Sequence, residues 1–342
     1  MKIIKVFLSY LFVINLSYSY AQQKKELNQP IAIVIHGGAG TILKKNITPA
    51  LEKEYKKVME KALTKGYEVL KNGGSAVDAV ETAIKILEDS PLFNAGKGSV
   101  FTNEETNEMD ASIMDGKSLN AGAVAGVKTI KNPITAARLV MEQSPHVMLA
   151  GDGADQYAKE KGLEIVKPEY FFNQKRYDQL KSIKSSEEIK LDHSEDEEGF
   201  NPLQNDSKFG TVGCVALDQE GNIAAGTSTG GMTNKKHGRI GDSPIIGAGT
   251  YANEQVGVSC TGHGEYFIRY TVAYDVAALM KYKQMTLQEA ANTVIFKKLL
   301  PNNGSGGLIA LDKDGNIAMP FNTAGMYRGF IDVYGNLTIQ IF

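Results

Sequence analysis

The 342-residue chain is poor in cysteine, in clustered histidine and in clustered positive charge, and each scarcity argues against a class of function. Cys214 and Cys260 are the only thiols and sit in separate apolar stretches, so there is no framework of closely spaced pairs. Buried free thiols are expected, although an oxidising compartment would permit one bridge if the geometry allowed it. The five histidines, His36, His146, His193, His237 and His263, are scattered without the spacing of metal ligands. A net charge of -2, with no long basic run or aromatic stacking platform, gives no reason to expect a nucleic-acid partner. The apolar stretch at the start, Val6 to Leu16, falls short of the ~20 residues of a membrane-spanning helix. It follows Lys2 and Lys5 and precedes Ser19-Tyr20-Ala21, so residues 1–21 read as a secretory signal peptide cleaved before Gln22. A membrane anchor is the competing reading. An exported protein, periplasmic or secreted and free of the membrane once the signal is removed, is the expectation; no cysteine follows the cleavage point to carry a lipid.

What the chain has in quantity is apolar residues, at 42%, and 35 glycines, a composition suited to a packed, loop-rich globule. Ile31 to His36 predicts a buried strand running into a tight turn at Gly37-Gly38-Ala39-Gly40. Thr48-Pro49 has the form of a helix cap and first turn, with the helix continuing to about Asn72. A second helix is expected from Ser75, placing Ala76, Val77, Val80, Ile84 and Leu87 on one face. Strands at Met109 to Met114 and Ala121 to Val127, and a helix near Pro133 to Gln143, follow. From about 174 to 209 the apolar periodicity fails and Lys, Ser, Glu and Asp take over, which reads as a flexible charged linker. A solvated surface helix over Gln179 to Glu188 is the alternative.

At Thr211 the sequence turns abruptly into short apolar strands and glycine turns. Ala216 to Ala224 (ALDQEGNIA) and Ala310 to Ala318 (ALDKDGNIA) are near-copies that each fit a hairpin, and Asp332 to Asn336 fits a third. Helices are predicted at about Glu265 to Tyr282 and Thr286 to Leu299. Strands, then helices, then strands again argue for a layered α+β fold rather than a doubly wound sheet.

Gly226-Thr227-Ser228-Thr229-Gly230 matches the G-x-S-x-G pattern, but that motif needs a helix directly after the serine. The residues that follow, Gly231 to Gly238, have the composition of a loop, and only His237 and His263 lie beyond. Gly247-Ala248-Gly249 and Gly96-Lys97-Gly98 lack the context of a phosphate loop and read as turns. What remains is a concentration of hydroxyls and glycines after residue 210. A threonine is a weak nucleophile unless a base takes its proton, and its own α-amino group, with an ordinary pKa of ~7.7 to 8.0, can be that base. The amine must then be free, so a threonine such as Thr211 could work this way only after cleavage of the Gly210-Thr211 bond.

Gly210-Thr211-Val212-Gly213 is followed in order by Thr227-Ser228-Thr229-Gly230-Gly231, Gly238-Arg239-Ile240-Gly241-Asp242-Ser243-Pro244 and Thr261-Gly262-His263-Gly264-Glu265. Together with Ile35 to Gly40, Pro91 to Gly96, Met109-Asp110-Ala111 and Phe321-Asn322-Thr323, this series closely resembles the plant-type L-asparaginase and isoaspartyl-peptidase family of N-terminal-nucleophile hydrolases. The resemblance spans nearly all of the mature chain except the linker. It implies a four-layer αββα sandwich and a precursor that splits itself after Gly210, leaving an α subunit, 22–210, and a β subunit, 211–342, that share one domain. Two such αβ units would pair as a dimer.

The same resemblance implies roles for residues. Thr211 would be nucleophile and, through its amine, general base; Thr229 would orient or polarise it; Thr261 and Gly262 would form the oxyanion hole. Arg239 would grip the substrate α-carboxylate and Asp242 the α-ammonium, with Ile240, Gly241, His263 and Gly264 lining the pocket. Leu87, Glu88, Ser90, Phe93, Ala95 and Lys97 match a loop that holds a structural sodium ion, mostly through backbone carbonyls; catalysis itself calls for no cofactor. Asn94 is a structural or active-site contact. The expected substrates are small molecules, L-asparagine and β-aspartyl dipeptides. A glycosylasparaginase is the alternative within the fold, although that branch has aspartate where Gly210 stands, and an inactive binding protein of the same fold is a third reading.

Overall fold

The structure, a computed structural model, describes residues 30–185 and 210–342. The expected signal peptide, 1–21, and the stretch 186–209 of the expected linker lie outside the described residues.

The N-terminal half supplies four of the eight strands of one large sheet and the helices on one of its faces. Strand β1 (Ala32–Gly40) is buried along its whole length. The glycines expected to form a turn instead stay in the strand, which is irregular between His36 and Gly38 and pairs through Gly40 with Gly325. Helix α1 (Pro49–Lys71) starts where Thr48 accepts the Leu51 N–H and Pro49 takes the first turn, and it buries Tyr55, Met59, Leu63 and Leu70 at helical spacing. Helix α2 (Ala76–Glu88) is closed at its start by a reciprocal capping box between Ser75 and Asp78. Strands β2 (Met109–Asp115) and β3 (Ala121–Val127) and helix α3 (Pro133–Gln143) fall where expected. A short strand β4 (Met148–Ala150) and helix α4 (Gly151–Glu160) follow, with no clear signal in the sequence.

The charged segment corrects the linker expectation over its first third. Residues Gln174–Ser185 form helix α5, which buries Leu180 and Ile183. The few apolar residues hid it from a periodicity reading, because much of its anchorage is polar. Arg176 Nε donates to the Gly98 carbonyl at 3.2 Å. Tyr177, Lys181 and Lys184 all bond the carboxylate of Glu105, at 2.8 to 3.1 Å.

Beyond residue 210, β5 (Val212–Leu217) and β6 (Ile223–Thr229) form the first hairpin, β9 (Gly306–Asp312) and β10 (Ile317–Ala318) the second, and β11 (Gly325–Ile331) and β12 (Leu337–Gln340) the third. Each of the three turns is held by an aspartate, Asp218, Asp312 or Asp332, whose carboxylate accepts the N–H of the residue four positions on. Strands β7 (Thr250–Ala252) and β8 (Val256–Gly262) complete a four-stranded sheet ordered β10-β9-β8-β7. The large sheet has eight strands in the order β12-β11-β1-β5-β6-β2-β3-β4.

The expected helix over 265–282 is broken in two. Thr271 takes a left-handed φ of 46°, separating α6 (Gly264–Arg269) from α7 (Val272–Lys283). The last helix begins as α8 (Leu287–Asn292) and widens into a π-helical stretch, Thr293–Leu299.

Three apolar layers separate four structural layers. Helices α1 to α3 pack on one face of the large sheet. Its other face packs on the small sheet through residues such as Val34, Val215, Ile309 and Leu311. The small sheet buries its outer face under α7, α8 and the π-helical stretch, through Val258, Val276, Ala290 and Leu308. This is the αββα sandwich expected. Cys214 and Cys260 are both buried and free, on strands of different sheets.

Candidate active site

The β5–β6 hairpin sets the centre of the site. Its register pairs Val212 with Ser228, so the residue just before β5 and the last residue of β6 end side by side. Those residues are Thr211 and Thr229, both buried. Thr211 Oγ1 donates to Thr229 Oγ1 at 3.0 Å. Thr229 Oγ1 also accepts the Gly231 N–H at 3.0 Å. Asn94 braces the same turn: its Nδ2 donates to the Gly231 carbonyl at 2.7 Å, and its backbone carbonyl accepts the Gly230 N–H at 3.1 Å.

Gly210 is buried against β1. A Cβ on Gly38, whose φ is +111°, would lie 2.5 to 2.8 Å from the backbone atoms of Gly210. Only glycine combines that backbone angle with that approach. The next residue of β1, Ala39, donates its N–H to Thr261 Oγ1 at 3.3 Å, which ties the end of β8 to the same edge. Gly262 closes β8 where a side chain would meet the Ser305 carbonyl at 2.4 Å. Thr261 and Gly262 thus lie at the sheet edge where β1 carries Gly38.

Arg239 and Asp242 come together over the N-terminus of α6. A Cβ on Gly264 would lie 2.9 Å from an Arg239 guanidinium nitrogen and 3.0 Å from Asp242 Oδ1, so the missing side chain is what lets both approach. Gly241 packs in the same way on the guanidinium, at 2.9 Å. Arg239 is held by a bidentate pair with Glu265, Nε to Oε1 at 2.9 Å and Nη2 to Oε2 at 2.8 Å. His263 Nε2 lies 3.5 Å from Glu265 Oε2, and Ile240 is exposed beside them. Asp242 is buried, and its Oδ2 has no hydrogen-bond partner among the described residues. Burial pushes its carboxyl up to about 7 despite the Arg239 charge. For Glu265 the sign is reversed: burial raises its pKa, but the bonds and charge of Arg239 outweigh that and leave it lowered. Burial lowers the His263 imidazole.

Ser228 answers the G-x-S-x-G question. It lies inside β6, with no helix after it, and its hydroxyl donates to Glu88 Oε1 at 2.6 Å in the core. Glu88 is fully buried and its carboxyl is pushed up to about 8 by desolvation. The segment from Leu87 to Lys97 runs out of the end of α2 and carries Asn94, with Lys97 exposed and Phe93 and Ala95 buried.

Two residues in the site carried no assigned role in the sequence reading. Glu265 stood in the quoted motif, but nothing in spacing tells that it grips Arg239. His36 was read as a scattered histidine, yet it touches the Thr211 backbone, Nδ1 lying 2.9 Å from that carbonyl oxygen.

A two-sheet α+β sandwich with a buried threonine at the start of a central strand, glycine before it and hydroxyls around it, defines a layered fold of the N-terminal-nucleophile amidohydrolase type. The chain matches the asparaginase family over residues 28–341. It is 53% identical over 299 residues to the isoaspartyl peptidase of Escherichia coli, covering 87% of this chain and 92% of that protein. It is 44% identical over 303 residues to the plant-type L-asparaginase of Pyrococcus furiosus, covering 88% and 96%. The isoaspartyl peptidase/L-asparaginase of Rattus norvegicus is 42% identical over 308 residues, covering 90% and 87%. The chain belongs to this asparaginase family.

Proposed function

We propose that the chain hydrolyses isoaspartyl dipeptides and L-asparagine through an ester on Thr211, after cutting itself between Gly210 and Thr211. The observation that carries this reading is the Thr211 hydroxyl, buried and bonded at 3.0 Å to Thr229, with a glycine directly before it. In maturation the Thr211 hydroxyl attacks the Gly210 carbonyl carbon. The peptide C–N bond breaks as the acyl group moves to oxygen, and water hydrolyses the resulting ester, freeing the α-amine. Gly210 suits this step because a glycine tolerates the backbone distortion it needs.

In turnover the free amine takes the hydroxyl proton and Oγ1 attacks the substrate's side-chain amide carbon. Thr261, through its hydroxyl, and Gly262, through its N–H, receive the charge that develops on the carbonyl oxygen. The leaving amine departs with the proton, and water releases aspartate from the ester. Arg239 offers its remaining donors to the α-carboxylate. Asp242, with an unpartnered buried oxygen, suits an α-ammonium. Ile240, Gly241, His263 and Gly264 line this end of the pocket.

The names of the relatives point to the same substrates. Intact-mass measurement with N-terminal identification tests the reading: two chains are expected, the smaller beginning at Thr211, and Thr211→Ala should stay uncut and inactive. A single intact chain with full activity would overturn it.

The loop carrying Leu87, Glu88, Ser90, Phe93, Ala95 and Lys97 is read as the site of a structural sodium ion. The Phe93 and Ala95 carbonyls accept the N–H groups of Ala95 and Gly98, which uses one of the two lone pairs each carbonyl has. Oxygen donors of this kind fit a hard monovalent cation, which would fix the loop that carries Asn94 and take no part in bond making. Melting temperature in sodium against choline chloride tests this, with a higher value in sodium expected. Export by residues 1–21 and pairing of two αβ units complete the reading, tested by the N-terminus of the secreted chain and by light scattering.

A further inference from the structure

His36 lies fully buried in the middle of β1, and its ring reaches from the large sheet to the small one. Nδ1 is 2.9 Å from the Thr211 carbonyl oxygen and Nε2 is 3.0 Å from Ser259 Oγ. A carbonyl oxygen only accepts, so Nδ1 carries the proton. Burial holds the imidazole down to about 3, so the ring is neutral and Nε2 accepts from the Ser259 hydroxyl.

That assignment orders a chain of hydroxyls. Ser259 spends its one proton on His36, so Thr227 donates to Ser259 Oγ, at 2.7 Å, with the Gly249 carbonyl as a longer second acceptor at 3.1 Å. Thr250 donates in turn to Thr227 Oγ1 at 2.6 Å. Ser112 lies behind, its proton shared between Thr250 Oγ1 at 2.8 Å and the Ser243 carbonyl at 2.6 Å. Ser243 adjoins Asp242. The bonds from Ser112 to His36 run in one sense, the arrangement in which each polarises the next. The fold also leaves room for it. Gly213 pairs with His36 across β1 and β5, and a Cβ there would meet Ser259 Oγ at 2.0 Å and His36 Nε2 at 2.2 Å.

We propose that His36 is a positioning residue for Thr211: its Nδ1–H, set by the Ser259–Thr227–Thr250–Ser112 chain, clamps the Thr211 carbonyl and so aims the Thr211 amine and hydroxyl. This rests on the reading of Thr211 as the nucleophile. Once the Gly210 bond is cut, the only covalent tether of Thr211 is through its own carbonyl, beside the hydroxyl bond to Thr229. Rotation about its Cα–C bond would then swing amine and Oγ1 together. A bond to the carbonyl oxygen fixes the Thr211–Val212 peptide plane and with it the direction of that Cα–C axis, while the Thr229 bond sets the turn about it; a misplacement of ~1 Å at a reacting group costs about 10²-fold in rate. Substrate binding at Arg239 and Asp242 does not depend on it, so the effect belongs in kcat.

Paired amide substitutions separate the two nitrogens. Asn places an N–H near the position of Nδ1, whereas Gln places its amide near Nε2. Measured on the processed enzyme with L-asparagine and a β-aspartyl dipeptide, His36→Gln should lose about 10- to 100-fold in kcat with KM nearly unchanged. His36→Asn should stay within a few-fold of wild type. Ser259→Ala, which removes the partner at Nε2 and keeps the backbone, should lower kcat by an intermediate factor. Equal losses in the Asn and Gln variants, or none in Gln, would overturn the proposal. Long-range 1H–15N spectra of the histidine-labelled wild-type enzyme read the ring without any variant having to fold. A proton on Nδ1 with a bare Nε2 is expected, and the opposite tautomer would overturn the clamp. Full activity in Thr211→Ala would sink the nucleophile reading and leave the tautomer result standing, so the two failures are distinguishable.

Discussion

Thr211 and Thr229 face each other at the open end of one hairpin, hydroxyl to hydroxyl at 3.0 Å, and Thr229 accepts from Gly231 as well. With one oxygen taking two donors, Thr229 fixes where Oγ1 points until the freed amine takes its proton. Thr229→Ala removes the acceptor from a buried pair, a loss of about 1–3 kcal/mol. The expected result is a fall in kcat of roughly 5- to 200-fold. Thr229→Ser should recover most of it, and steady-state kinetics on both variants checks this.

Gly38 packs on the backbone of Gly210, next to the bond proposed to be cut. Its φ of +111° and the 2.5 to 2.8 Å separation between its Cβ position and Gly210 leave an alanine no room without moving the Gly210 backbone. Gly38→Ala should therefore slow appearance of the Thr211 N-terminus, followed as the fraction of intact chain over time. Unchanged processing would mean that the approach of these two glycines has no part in maturation.

Much of this fold was legible because local chemistry and tertiary structure agree in it. The Thr48-Pro49 and Ser75 caps, the strands at 109 and 121 and the three Asp-anchored hairpins each carry their own signal within a few residues. The family resemblance carried by the order of hydroxyl and glycine motifs likewise pointed to Thr211, Thr229, Arg239 and Asp242; the fold pairs the first two and brings the last two together over α6. Helix α5 was legible only as the alternative reading over Gln179 to Glu188, because it is anchored by Arg176 and by the cluster on Glu105, contacts with residues more than seventy positions away. Strand β1 deceived in the opposite way. Its glycines read as a turn, yet they serve close packing within the strand, of Gly37 on Phe93 and of Gly38 on Gly210. His36 could not have been found either, since its partners Thr211 and Ser259 lie 175 and 223 residues distant.

Arg239 owes its orientation to Glu265. The bidentate pair occupies Nε and Nη2, which leaves the Nη1 side of the guanidinium for a ligand. Glu265→Gln keeps the shape and removes the charge, so it should raise KM for L-asparagine several-fold and leave kcat within about twofold. Arg239→Lys should be far worse, because an ammonium cannot serve Glu265 and a carboxylate in one plane. Initial-rate measurements on the pair decide it: similar KM values in the two variants would argue against orientation as the role of Glu265.

Asp242 makes stability and substrate affinity respond to pH in opposite directions. Its carboxyl is raised to about 7 from an ordinary 3.8 by burial, the Arg239 charge only partly offsetting this. In the folded free enzyme the group keeps a proton that the unfolded chain releases near 3.8. Its contribution to stability is thus fully present below about pH 4 and is lost as pH rises through 7. Binding of an α-ammonium needs the carboxylate, so kcat/KM should climb over the upper part of the same window. The bound ammonium lowers the carboxyl's pKa, and kcat at saturation should show less of this limb. Asp242→Asn should remove both trends: a melting temperature that falls less than wild type's between pH 5 and 8, and a high KM that no longer improves with pH. If the acid limb of kcat/KM persists in Asp242→Asn, it belongs to another group, of which the freed Thr211 amine is the first candidate.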